Sequence, residues 1–175
     1  MVEGTGFENR HGGNFIEGSN PSLSAHIMEH TLSWEQVAEL SQKLATSITE
    51  SGFKPDYLVG ITVGGLIPLG LLAEALDIRN ILTVSASSYE GKEQRELEVK
   101  YLPTIDIAGK KILLIDEVAE TGQTLQHIAS LLKDTYQPSE LRTATLVVNI
   151  QESKFHPDFS ALEATEWVVF PWEKD

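Results

Sequence analysis

The sequence predicts an α/β fold, a parallel twisted sheet with helices packed on both faces. Two patterns carry that prediction. Short apolar runs, the signature of strands buried on both sides, are centred on Tyr57–Ile61, Ile81–Ala86, Lys111–Asp116 and Thr143–Val148. Segments with apolar residues at helical spacing lie between them, and strands that alternate with helices assemble into a parallel sheet. The length, 175 residues, adds a third constraint, since it suits one domain with a sizeable core.

Residues 1–30 are rich in Gly, Asn, Ser and His and show little periodicity, so they are expected to form an N-terminal extension to a domain spanning 31–175. Ser33 followed by Gln36 is a capping-box pattern. Trp34, Val37, Leu40, Leu44 and Ile48 then recur on one helical face, with Gly52 as the stop and Pro55 beyond it. The strand at Tyr57–Ile61 leads into a helix over Leu66–Leu76. After the strand at Ile81–Ala86 comes a polar stretch, Ser87–Val99, which by itself reads as a solvated hairpin. The strand at Lys111–Asp116 precedes a helix over Thr124–Tyr136, and Trp167–Phe170 is a short final strand or loop near Pro171 and Trp172.

Composition narrows the function. Thirteen Lys and Arg against 26 Asp and Glu give a net charge of −13, which repels nucleic-acid backbones and anionic lipid. An anionic small molecule is still admissible if backbone amides or a metal ion receive it. With no cysteine there is neither a disulfide framework nor a thiolate zinc site. No apolar run reaches the roughly 18 residues of a membrane span, and no basic-then-apolar leader opens the chain. A cytoplasmic protein with no nucleic-acid or membrane partner is expected.

In a parallel α/β sheet, ligands bind at the carboxyl ends of the strands. After Ile112–Ile115 the chain reads Asp116-Glu-Val-Ala-Glu-Thr-Gly-Gln-Thr124 and enters a helix. The helix N-terminus offers unpaired N–H groups and a positive dipole end, suited to a phosphate. Thr121 and Thr124 add hydroxyls, while Asp116 and Glu117 can accept hydrogen bonds from sugar hydroxyls or hold a hydrated Mg²⁺. An acidic βα turn that merely favours the helix dipole is the plain alternative. A second loop, Gly60-Ile-Thr-Val-Gly-Gly-Leu-Ile-Pro68, lets backbone approach a ligand closely.

The run from Ile115 to Thr124 resembles the phosphoribosyl-pyrophosphate loop of the type I phosphoribosyltransferases. The glycine loop is similar to that family's pyrophosphate-binding loop, which in close relatives reads Ser-Arg-Gly-Gly-Leu-Val-Pro. Ser87-Ser-Tyr89 with Gln94-Arg-Glu-Leu97, and Trp167-Val-Val-Phe-Pro-Trp172, resemble segments of the bacterial xanthine-guanine and hypoxanthine phosphoribosyltransferases. The likeness runs over roughly residues 33–172 in four ordered motifs.

The resemblance implies a purine salvage enzyme that transfers phosphoribose from phosphoribosyl pyrophosphate to a 6-oxopurine (hypoxanthine, guanine or xanthine), with Mg²⁺ as cofactor. It implies that Asp116 and Glu117 hold the ribose and the metal. Glu120, Thr121, Gly122, Gln123 and Thr124 cradle the 5′-phosphate, and Glu120, with Asp116 and Glu117, is the catalytic acid set. Val63, Gly64 and Gly65 hold pyrophosphate, with Ser88 and Tyr89 on a mobile lid loop above it. Trp167 stacks on the base, Val168 reads its edge, and Asn149 faces its 6-oxo group. A homo-oligomer, dimer or tetramer, is implied by analogy.

Three positions depart from the family pattern: Val63 where a basic residue is usual, Glu120 for Asp, and Asn149 for Lys, with Lys154 nearby as a substitute. Two alternatives therefore stay open, a non-catalytic phosphoribosyl-pyrophosphate-binding regulator and a transferase for another base. One further motif, His26-Ile-Met-Glu-His30, fits a zinc-peptidase pattern, but a helix cap at Ser33 leaves it little room for a helix, and a surface segment is expected.

Overall fold

The computed structural model describes residues 29–90 and 95–173. Strands β1 (Glu29–Thr31), β2 (Tyr57–Thr62), β3 (Ile81–Glu90), β4 (Arg95–Tyr101), β5 (Lys111–Ala119), β6 (Glu140–Asn149), β7 (Phe159–Ala164) and β8 (Trp167–Val169) are joined by helices α1 (Trp34–Glu50), α2 (Leu66–Ala75) and α3 (Gln123–Tyr136). Six strands form one sheet in the order β4-β3-β2-β5-β6-β7, parallel except for β4.

Both faces are covered, which explains the unbroken apolar runs. Along β5, Leu113 and Ile115 join the core beneath α1 and α2, with Leu44, Ile48 and Leu72. Ile112 and Leu114 face the other way, onto Leu125, Ile128 and Leu132 of α3. The capping box opens α1 as expected: Gln36 N–H donates to Ser33 Oγ, and Ser33 N–H to Gln36 Oε1.

Four expectations need correction. The chain does not leave the sheet at Asp116. Asp116, Val118 and Ala119 stay paired with Thr145, Val147 and Val148, because β6 continues alongside to Asn149. The acidic pair thus sits inside a strand, not in a loop. Residues Ser87–Glu90 prolong β3 and pair antiparallel with β4, Ser88 opposite Leu97 and Tyr89 opposite Glu96, so this sheet edge is not parallel. The lid expected there rests on the side chains of Ser88 and Tyr89 and on residues 91–94, which lie outside what is described.

Phe159–Ala164 forms a strand that the apolar pattern did not reveal, because only one of its faces is buried. Finally, regular structure begins before Ser33. Strand β1 pairs with β8, Glu29 opposite Trp167 and Thr31 opposite Val169, and Leu32 N–H donates to Val169 O at 2.9 Å. Most of the expected extension, 1–28, lies outside the described residues, His26 included. His30 is on strand β1, so no helical turn brings it together with Glu29 as a zinc peptidase requires.

Candidate active site

Strand β5 and helix α3 meet at Gly122, which has φ 73° and is the N-cap of α3. A side chain there would be strained by the backbone and would collide with Phe155 O and, at 2.9 Å, Ser153 Oγ. The loop after β6 packs on this turn, and Lys154 N–H donates to Thr121 O at 3.1 Å. Thr121 Oγ1 accepts the Gln123 N–H at 3.4 Å, but Gly122 as N-cap offers no side chain to the rest of the first turn of α3. Its first return bond joins Gln126 N–H to Gly122 O, so the N–H groups of Thr124 and Leu125 have no acceptor within the helix. These amides open on a cavity of about 420 Å³ lined by Thr121–Leu125 together with Thr62, Gly64, Asp116, Glu117, Glu120 and His127.

The opposite wall is the turn from β2 into α2. A Cβ at Gly65 would lie 2.6 Å from the carbonyl oxygens of Ile61 and Ile115, so only glycine lets the turn press against β5. The Glu117 side chain occupies the space that a Cβ on Gly64 would need. Val63, where the family pattern has a basic residue, is 80% exposed.

Asp116 Oδ1 accepts the N–H of Glu117 at 2.9 Å. Burial pushes the Asp116 carboxyl up to about 7; the Glu117 N–H opposes that rise, and the Glu117 charge adds to it. Burial also raises Glu117. Its Oε2 accepts the indole N–H of Trp172 at 2.7 Å, which opposes the rise, while the Glu173 charge reinforces it. Trp172 is in turn stacked on Phe170, with centroids 4.7 Å apart, and tilted against Trp34 at 5.6 Å.

Beyond Glu117 lies a smaller cavity of about 100 Å³, bounded by Val118, Glu120, Asn149, Trp167 and Val168. Glu117, Val118 and Glu120 line both cavities, so the two spaces adjoin at these residues. Trp167 stands 46% exposed on β8, whereas Val168 beside it is buried. Asn149 ends β6, and its Oδ1 accepts N–H bonds from Gln151 at 3.0 Å and Glu152 at 3.1 Å, which leaves its amide nitrogen to donate. Lys154 lines neither cavity.

The structure therefore gathers Asp116, Glu117, Glu120–Thr124 and Gly64 around one space, and Asn149, Trp167 and Val168 around its neighbour. Val63 and Gly65 belong to the same turn as Gly64 but do not line the larger cavity. The Ser88 and Tyr89 side chains lie outside what is described. Sequence reasoning missed His127 and the grip of Trp172 on Glu117. His127 lies four residues after Gln123, on the same helical face, and that spacing was a readable signal. The Trp172–Glu117 contact spans 55 positions and left no local trace.

Asp116 and Glu117 offer hard oxygen donors, and no cluster of three or more metal-ligating side chains occurs among the described residues. That set suits Mg²⁺, which binds proteins through one or two carboxylates and takes its remaining ligands from water and substrate phosphates.

A family model for the phosphoribosyl transferase domain matches residues 29–174. The chain belongs to the phosphoribosyltransferase family. Within it, the chain is similar to the xanthine-guanine phosphoribosyltransferase of Ruegeria sp. (strain TM1040), 30% identical over 167 residues that cover 88% of this chain and 90% of that protein. It is also similar to that of Chromohalobacter salexigens, 30% identical over 87% of this chain and 88% of the other.

Two solved structures share the fold. Purine phosphoribosyltransferase from Pyrococcus horikoshii superposes with a TM-score of 0.75, at 29% identity, over 84% of this chain and 95% of that one. The Helicobacter pylori xanthine-guanine-hypoxanthine phosphoribosyltransferase gives 0.76, at 27% identity, over 83% and 94%. The mostly parallel sheet with helices on both faces is the type I architecture.

Proposed function

We propose that this protein transfers the phosphoribosyl group of phosphoribosyl pyrophosphate to a 6-oxopurine, giving a nucleoside monophosphate and pyrophosphate. One observation carries the proposal: a phosphate-suited cavity and a Trp-walled cavity adjoin at Glu117, Val118 and Glu120. A sugar seated in the first would present its anomeric carbon to a base in the second. The names of the bacterial relatives support a purine as that base.

The uncapped amides of α3 and the hydroxyls of Thr121 and Thr124 hold the 5′-phosphate. Asp116 and Glu117 accept from the ribose hydroxyls and fix the ring. Gly64 and Gly65 supply backbone at the pyrophosphate, and Ser88 and Tyr89 close over it. Trp167 stacks on the base, Val168 presents backbone to its edge, and the Asn149 amide donates to its 6-oxo group. As the bond from the anomeric carbon to pyrophosphate breaks, positive charge develops on the ribose; Glu120, at the junction of the cavities, stabilises that charge or takes the proton that the base sheds when its nitrogen bonds to the same carbon. Asp116 and Glu117 would hold Mg²⁺, which when bound would supply positive charge to the leaving pyrophosphate. A cytoplasmic homo-oligomer, dimer or tetramer, follows from the same analogy.

A second reading has an observation of its own. No Lys or Arg is among the described residues lining either cavity, which suits a non-catalytic regulator that binds phosphoribosyl pyrophosphate without turning it over. Incubation with Mg²⁺, phosphoribosyl pyrophosphate and, separately, hypoxanthine, guanine, xanthine or adenine decides between them. Nucleotide and pyrophosphate formed with a 6-oxopurine support the transferase. Adenine alone as acceptor reassigns the base. Binding of phosphoribosyl pyrophosphate without turnover on any base supports the regulator.

A further inference from the structure

The larger cavity has a charge deficit. It must receive a polyanion, yet its walls carry Asp116, Glu117 and Glu120 and no Lys or Arg among the described residues. The whole chain adds a net charge of −13, which opposes the approach of such a ligand. Val63, the natural place for a compensating cation in the glycine turn, is an exposed hydrocarbon. Among the described residues that line this cavity, one side chain is able to carry positive charge: His127.

We infer that His127 is a phosphate-binding residue, supplying to the phosphate seated at the N-terminus of α3 a side-chain N–H donor that is able to carry positive charge. The inference rests on the sugar-phosphate reading of this cavity. His127 is the fifth residue of α3 and follows Gln123 by four positions and Thr124 by three, so it shares their face of the helix. Helical Cα–Cβ bonds tilt toward the N-terminus, so its imidazole leans back over the first turn. The inward face of α3 is taken up by Leu125, Ile128, Ala129 and Leu132, which leaves His127 exposed on the cavity side.

Imidazole has at least one N–H donor in either charge form. The amides of Thr124 and Leu125 bind one side of the phosphate through the backbone. His127 adds a donor from a side chain able to carry charge, beyond the neutral hydroxyls of Thr121 and Thr124 and the Gln123 amide. It thereby makes up for the cation missing at Val63, from a different element of the fold.

Titration calorimetry in Mg²⁺ buffer tests this, with phosphoribosyl pyrophosphate as ligand and inorganic pyrophosphate, which lacks the 5′-phosphate, as the control. His127→Gln removes the charge and His127→Lys keeps one; the site is exposed, and unfolding midpoints check that both variants fold. A charge-assisted hydrogen bond predicts about a tenfold weaker affinity for phosphoribosyl pyrophosphate in H127Q, affinity within about threefold of wild type in H127K, and unchanged pyrophosphate binding in both. H127Q binding phosphoribosyl pyrophosphate as tightly as wild type overturns the assignment, and so does an equal loss for both ligands. If the wild type itself fails to bind phosphoribosyl pyrophosphate, the sugar-phosphate reading falls and takes this inference with it.

Discussion

Asp116→Asn should make the ligand-free protein more stable while it abolishes function. In the folded chain the Asp116 carboxyl titrates at about 7, chiefly because it is buried. An unfolded Asp titrates near 3.9. The difference of about three logarithmic units corresponds to a ceiling of about 4 kcal/mol. Asp116 also lines an open cavity, and solvent screening there reduces the expected effect to about 2 kcal/mol.

The sign follows from the direction of the change. A carboxyl whose folded value is raised favours the folded state fully below about pH 4, and that contribution is lost as pH rises through about 7. Asn removes the titration yet keeps an Oδ1 acceptor for the Glu117 N–H. Urea unfolding at pH 8 should therefore show D116N about 2 kcal/mol more stable than wild type, shrinking to less than about 1 kcal/mol at pH 5. Phosphoribosyl transfer at pH 8 should fall below detection. D116N less stable than wild type at pH 8, or a gap that does not change with pH, would refute this account of the buried acid.

Trp172→Phe should keep the stack on Phe170 but remove the N–H held by Glu117. A hydrogen bond to a charged group is worth about 1.5–3 kcal/mol, so the KM for phosphoribosyl pyrophosphate should rise about tenfold or more, and an unchanged KM would show that Glu117 needs no such support. Gly65→Ala forces a methyl against the Ile61 and Ile115 carbonyls and should lower stability by about 2 kcal/mol in urea unfolding; a neutral result would mean that the turn can move away from β5. Trp167→Ala should cripple purine binding and leave phosphoribosyl-pyrophosphate binding largely intact, and equal loss of both would sink the stacking role.

The elements that bury two faces or a helical stripe were legible in order. The capping box at Ser33, the run Ile112–Ile115 and the helical face through Leu125, Ile128 and Leu132 are local patterns, and each forms as read. The turn that walls the larger cavity was legible for the same reason: its acids, its glycine and its helix start lie within nine consecutive residues, Asp116–Thr124. The run does not say how far a strand extends, because that depends on the neighbour. Strand β6 continues to Asn149, so β5 carries Asp116 and Glu117 within the sheet, and burial there raises both carboxyls.

Tertiary structure alone made the rest. Strand β1 is three residues long and has a partner only because β8 returns beside it from 138 positions further along the chain. That return sets Trp167 at the smaller cavity and brings Trp172 to Glu117. His127 gained its place at the larger cavity when α3 packed its apolar stripe onto the sheet and left the opposite face exposed. Periodicity and motif spacing report what a residue does with its neighbours in sequence. The charge balance of the cavity and the grip on Glu117 come from residues that only the packed sheet brings together.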